Sequence, residues 1–182
     1  MSKAVVHYSP TDDRLIQKFY LKDDGTFPNN QLPVLFYPGV LLLPGLFPAG
    51  EVKDLFTHND WKNTWQAGIF TFNHYHSNTH EALGVVRGET TLQLGGDDGI
   101  KLRITKGDVL ILPAGTAHKN LGDENAVVCV GAYPKGKEYD MYYGQAGERP
   151  GSDENIKKVK LPDHDPVFGT QGGVLRYWAS RA

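Results

Sequence analysis

The chain has 182 residues, enough for one domain with a full hydrophobic core and too few for two with independent cores. Lysine and arginine number 19 and aspartate and glutamate 21, a formal charge of −2 with no run of like charge, which argues against a nucleic-acid surface. The 21 glycines and 11 prolines make up about 18 % of the chain against about 12 % in average proteins, a mixture that suits many short strands joined by tight turns.

In chain order, Met1 to Pro10 lacks the apolar core and cleavage site of a secretory signal, and the single cysteine, Cys129, permits no intramolecular disulfide. Both point to the cytoplasm. The branched and aromatic residues of 14–21 predict a strand, followed by a turn-rich connector from Lys22 to Asn30. Residues 32–50 carry no charge, but Pro33, Pro38, Pro44 and Pro48 break them, so they read as extended, buried chain and not as a membrane span. Behind Pro48, the spacing of Ala49, Val52, Leu55 and Phe56 predicts a short amphipathic helix ending at Asn59 and Asp60.

Beyond Trp65 come runs of about six residues punctuated by Gly, Pro or Asp: 68–73, 83–87, 90–94, 100–105, 108–112 and 126–133. Their content and even spacing predict an all-β antiparallel sandwich or barrel. The tail from Glu138 mixes aromatic residues with polar turns and one helical turn near 155–159, its aromatics expected to pack across the barrel and not to meet a ligand. Cys129, within Ala126-Val-Val-Cys-Val, reads as a core residue.

Four of the seven histidines fall between Asn73 and Lys119. On a strand, residues two apart share a face, so His74 and His76 can aim both imidazoles at one point while Tyr75 faces away. Glu81 can return an oxygen on the neighbouring strand, which Gly88 would close with a tight turn. Gly107 opens a later strand, and Pro113-Ala-Gly115 turns the chain ahead of His118. By the same alternation, Phe70 and Phe72 either wall a pocket or pack a core, and Asn120 falls beside His118 as a further pocket residue. His80 adjoins Glu81 and so points to the opposite face as a surface or supporting histidine. A rotated turn would instead bring it inward as an acid or base.

These residues resemble the two-part signature of the cupin superfamily, the RmlC-like jelly rolls. Gly68, His74, His76, Glu81 and Gly88 match its first motif throughout. Gly107, Pro113, Gly115 and His118 match the second, whose final Asn is replaced here by Gly122. The flanks are similar to the small single-domain YjlB-like cupins. The resemblance implies a double-stranded β-helix with a barrel core at about 66–135, an N-terminal extension 1–65 holding the short helix, and an irregular C-terminal extension 136–182.

It further implies one divalent metal held by His74, His76, Glu81 and His118, with iron or manganese preferred over zinc, nickel, cobalt or copper because a carboxylate joins the imidazoles. The expected function is a metal-dependent, dioxygenase-type oxidoreductase acting on a small oxygen-bearing molecule. The alternatives are a redox-neutral isomerase or decarboxylase, for which His80 is the nearest acid or base, and a non-catalytic small-molecule-binding cupin. The expected partners are a small-molecule substrate and a second copy of the chain in a homodimer, with neither nucleic acid nor membrane.

Overall fold

The computed structural model describes residues 5–9, 12 and 14–178. Part of the stretch read as leader-free and the last four residues of the tail lie outside them. The elements are β1 (Val5–Val6), β2 (Gln17–Phe19), β3 (Val34–Tyr37), β4 (Leu41–Leu42), α1 (Pro48–His58), β5 (Trp61–Ala67), β6 (Glu81–Leu94), β7 (Ile100–Thr105), β8 (Val109–Leu112), β9 (His118–Asn120), a 3-10 turn (Glu124–Ala126), β10 (Val127–Pro134), α2 (Gly151–Lys158) and α3 (Gly173–Tyr177). The fold is all-β, as its composition suggested, with antiparallel pairing throughout. No described helix is long and apolar enough to cross a membrane.

The organising strand is β6. Its first half pairs with β8 on one side and β10 on the other, and its second half pairs with β7 and β9. The main sheet runs β2-β3-β8-β6-β10-β5 among the described residues, so strands from the N-terminal extension complete it. The expected turn at Gly88 is absent, and β6 continues through it. Gly88 is the corner at which one strand passes between the two sheets of the jelly roll. Its φ of 72° and the 2.0 Å that would separate a Cβ from the Ala126 carbonyl oxygen both require glycine.

Because β3, β6 and β8 are covered on both faces, successive residues feed two cores. Phe36, Leu83, Val85, Leu110 and Cys129 point into the barrel, whereas Tyr37, Ala82, Val86, Val109 and Ile111 point outward. That outer face does not meet water. Val52 and Phe56 of α1 cover part of it, and Trp178 and Val174 of the tail cover more. The tail is pinned there by Trp178 Nε1 donating to the Pro33 carbonyl at 2.8 Å and by Tyr37 donating to Asp165 at 2.5 Å. Asp165 also accepts the backbone N–H groups of Val167, Phe168 and Val174, which satisfies a fully buried carboxyl.

Helix α1 runs Pro48–His58 with Asn59 as its C-cap, in line with the periodicity behind Pro48. The uncharged stretch before it is only partly buried: residues 33–37, Val40, Leu41 and Leu43 are buried, whereas Leu42 is 46 % exposed and Leu46 and Phe47 are 91 % and 80 % exposed. Two strand assignments differ from expectation. β5 occupies Trp61–Ala67, where polar Lys62, Asn63, Thr64 and Gln66 dilute the strand signal, and 68–73 is irregular up to the isolated bridge of His74 with His118.

Candidate metal centre

Three backbone segments bring the polar residues together. Leu94 of β6 lies opposite His118 of β9, and His118 in turn bridges His74 through reciprocal N–H to carbonyl bonds of 3.0 and 3.2 Å. Glu81 enters at the start of β6. The cavity they share has a volume of about 210 Å³, and its lining includes His74, His76, Glu81 and His118.

Each of these imidazoles is oriented the same way. Nδ1 of His74, His76 and His118 lies 3.1, 2.5 and 3.0 Å from the backbone carbonyls of Phe72, Asp140 and Thr116. A carbonyl only accepts, so each Nδ1 carries the proton and each Nε2 keeps its lone pair. His76 is clamped further because the Asp140 carboxylate accepts from the Ser77 backbone N–H at 2.6 Å and its hydroxyl at 2.5 Å.

Glu81 is fixed through one oxygen. Tyr133 donates to Oε1 at 2.9 Å, and Trp65 Nε1 donates to the Tyr133 hydroxyl at 2.7 Å. Oε2 is left with His76 Nε2 at 3.5 Å and His118 Nε2 at 3.4 Å, and it is buried with no hydrogen-bond partner. Burial alone would raise the Glu81 carboxyl, but the His76 and His118 imidazoles more than reverse this and hold it well below the usual range. Burial also pulls His76 down, yet the charge and hydrogen bonding of Glu81, with help from Asp140, leave it above its ordinary value. His74 is lowered to about 3 by burial and then by His118.

The Nε2 atoms of His76 and His118 and a carboxylate oxygen thus converge on one point, and the raised His76 and lowered Glu81 both mark a place that favours positive charge. A divalent metal would supply that charge, and the donor set fits one. His76, Glu81 and His118 form a group whose ligand atoms all lie within 4.8 Å of one another. His74 stays outside that group, although its ring centroid is 4.1 Å from that of His118 and it lines the same cavity.

The other sequence candidates fare differently. His80 does point away from Glu81, but into the outer core and not to the surface. It is 2 % exposed, accepts the Ala114 N–H on Nδ1 at 3.0 Å and packs 4.7 Å from the Trp178 ring. Burial lowers it to about 4. His80 therefore lies outside the cavity lining, away from the acid or base role expected for it there, because the tail closes over the face on which alternation places it. Asn120 is likewise no pocket residue. Its Oδ1 accepts from Thr90 at 2.6 Å and the Gly122 N–H at 2.9 Å, while its amide donates to the Asp123 carbonyl. It holds the turn at which the motif's final Asn is replaced by Gly122.

Phe70 lines the cavity, and Phe72 stacks on it at 4.8 Å on the rim; at 42 % and 47 % exposed, neither packs a core. Sequence reasoning missed Trp65, Tyr133, Asp140, Met141 and Tyr139. The last of these corrects the expectation for the tail aromatics, since its ring lies 4.8 Å from those of both His76 and Tyr133 and lines the cavity. One signal was available for Tyr133: alternation along 126–133 puts it on the face of buried Cys129, and β10 pairs with β6 in the register that carries that face to Glu81.

Comparison with known proteins agrees with this architecture. Residues 64–131 match the family model of the cupin domain. Over 167 residues, 91 % of this chain and 98 % of the other, the sequence is 36 % identical to the uncharacterized protein YjlB of Bacillus subtilis (strain 168). Solved structures similar in part include an acireductone dioxygenase from Bacillus anthracis with a cadmium ion in its active centre, at 20 % identity and a TM-score of 0.36 over 47 % of this chain and 58 % of that one. A mutant of Bacillus subtilis oxalate decarboxylase OxdC aligns at 26 % identity and a TM-score of 0.33, over 44 % of this chain and 22 % of that one. In both, the chain spans less than two thirds of the structure it matches. The identity to YjlB over nearly the whole of both chains, with the cupin-domain match across the barrel, places this chain in the cupin superfamily, among the small YjlB-like cupins.

Proposed function

We propose that the chain is a metal-dependent cupin that acts on a small oxygen-bearing organic molecule as a dioxygenase-type oxidoreductase. The observation that carries the metal reading is the orphaned, buried Glu81 Oε2 facing the Nε2 atoms of His76 and His118. His76, Glu81 and His118 would hold the ion, with His74 as the fourth donor. Bound there, a divalent ion supplies Lewis acidity towards substrate oxygens and, as iron or manganese, a redox centre for dioxygen.

The surrounding residues preorganise the donors. The Phe72, Asp140 and Thr116 carbonyls fix the three ring tautomers, and Tyr133 with Trp65 ties down Oε1 so that Oε2 alone faces the cavity. Ile69, Leu83 and Met141 contribute apolar surface to the lining of the cavity. A redox-neutral isomerisation or decarboxylation would need a proton-transfer group. His80 faces the other core and Tyr133 commits its only proton to Glu81, which leaves Glu124 at the cavity for that alternative. Dioxygen dependence separates the two readings.

Protein loaded anaerobically with iron(II) or manganese(II) should consume dioxygen in the presence of a turned-over chelating substrate, and His76→Ala should abolish that uptake. Turnover that proceeds equally under nitrogen would favour the isomerase or decarboxylase alternative. Tight binding across a broad substrate panel without turnover would favour the non-catalytic one.

A further inference from the structure

Apart from its histidines and Glu81, the cavity is walled by Ile69, Leu83 and Met141 and by the rings of Trp65, Phe70 and Tyr139. No lysine or arginine lines it among the described residues. Lys119, the neighbour of His118, is turned away to Asp97 at 2.7 Å. The remaining charge at the cavity is Glu124, which is exposed and anionic.

Charge therefore discriminates. A divalent ion with Glu81 and neutral imidazoles carries +1, which a mono-anionic chelator cancels. A dianion would leave a buried negative charge with no cation to answer it, and Glu124 close by. Size and shape add to this. An apolar cavity of about 150 Å³ admits benzene, so about 210 Å³ accommodates one ring together with two donor oxygens. At the rim, Phe70 and Phe72 stack at 4.8 Å with planes 16° apart, and both rings remain partly exposed. Such a pair offers a flat apolar surface to a further ring.

We propose that the site takes a mono-anionic, bidentate oxygen chelator bearing an aromatic or bulky apolar body, and that it discriminates against dianions. This rests on the metal reading given above. The test uses the full chain loaded with cobalt(II), its cobalt content measured first, and titrates it calorimetrically with benzoylformate, α-ketoglutarate and oxalate. Benzoylformate and α-ketoglutarate present the same keto-acid donors, so they differ only in the body attached.

Benzoylformate should bind about tenfold or more tighter than either dianion. Phe70→Ala should weaken benzoylformate by about five- to tenfold and leave oxalate unchanged. The inference is overturned if α-ketoglutarate or oxalate binds as tightly as benzoylformate, if benzoylformate does not bind the cobalt-loaded chain, or if Phe70→Ala shifts all three alike or none. A chain that takes up no cobalt overturns the metal reading and this inference with it. One that takes up cobalt but ranks the chelators otherwise overturns this inference alone.

Discussion

Tyr133→Phe removes a single oxygen atom, and the geometry around that atom sets the size of the effect. The hydroxyl donates to Glu81 Oε1 at 2.9 Å and accepts from Trp65 Nε1 at 2.7 Å. Glu81 is fully buried, and its carboxyl, held well below the usual range, is ionised at neutral pH. A hydrogen bond to such a charge is worth about 1.5–3 kcal/mol, and the half-buried Trp65 N–H, which can regain water, adds about 0.5–1 kcal/mol. The ring itself stays stacked on Tyr139, so no cavity opens. The metal-free protein should therefore lose about 2–4 kcal/mol. With a urea slope of about 2 kcal/mol/M, the unfolding midpoint in EDTA at pH 7 should fall by about 1–2 M, with the slope unchanged. Metal affinity, read by competition with a chromophoric chelator, should weaken about 10- to 100-fold, as expected when a ligand loses the group that orients it. A midpoint within about 0.3 M of the parent protein, together with an unchanged metal affinity, would refute the reasoning.

Further outcomes follow from the same geometry. His80 titrates at about 4 in the fold against 6.5 when unfolded, so between those values the unfolded chain takes up a proton that the native state refuses. Stability from this group is lost as pH falls, at about 1.4 kcal/mol per pH unit and about 3 kcal/mol over the window. In metal-free protein His80→Gln should flatten the acid limb of a stability-against-pH curve by that amount while leaving metal stoichiometry at neutral pH unchanged; an unaltered curve would contradict a buried neutral imidazole. His76 works in the opposite sense. Its raised pKa makes its contribution fully present below 6.5 and lost as pH rises through the folded value, so chelator-treated protein should show a further decline on the alkaline side that is missing in His76→Ala. Gly88→Ala should cost about 2 kcal/mol or more, lowering the thermal midpoint by at least about 4 °C; a smaller change would mean β6 turns its corner elsewhere. In Gly131→Ala the new Cβ would lie 2.0 Å from Trp65 Cε2, so the indole must leave Tyr133. A shift in tryptophan fluorescence with weakened metal binding is expected, and parental values for both would show that Trp65 does not support Glu81.

What the sequence disclosed was local. The strand runs 100–105 and 108–112, the helix behind Pro48 and the convergence of His76, Glu81 and His118 all rest on spacing within a segment or on a two-part motif, and the structure places them accordingly. What it withheld depends on segments distant in the chain. Tyr133 meets Glu81 across 52 positions, and Asp140 meets His76 across 64. Trp178 turns the outer face from surface into core, which is why His80, correctly assigned to that face, is buried there and not solvated. Gly88 shows a different limit: a glycine that ends a strand and one that bends it between two sheets carry the same letter, and only the partners of Arg87 and Glu89 separate them.

Metal content is the most direct measure of the central claim. Protein purified without added metal, then stripped and titrated with manganese(II) or iron(II), should bind one equivalent per chain, and His76→Ala, although folded, should bind none at the same concentrations. One equivalent retained in His76→Ala, or no binding by the parent chain, would contradict the account.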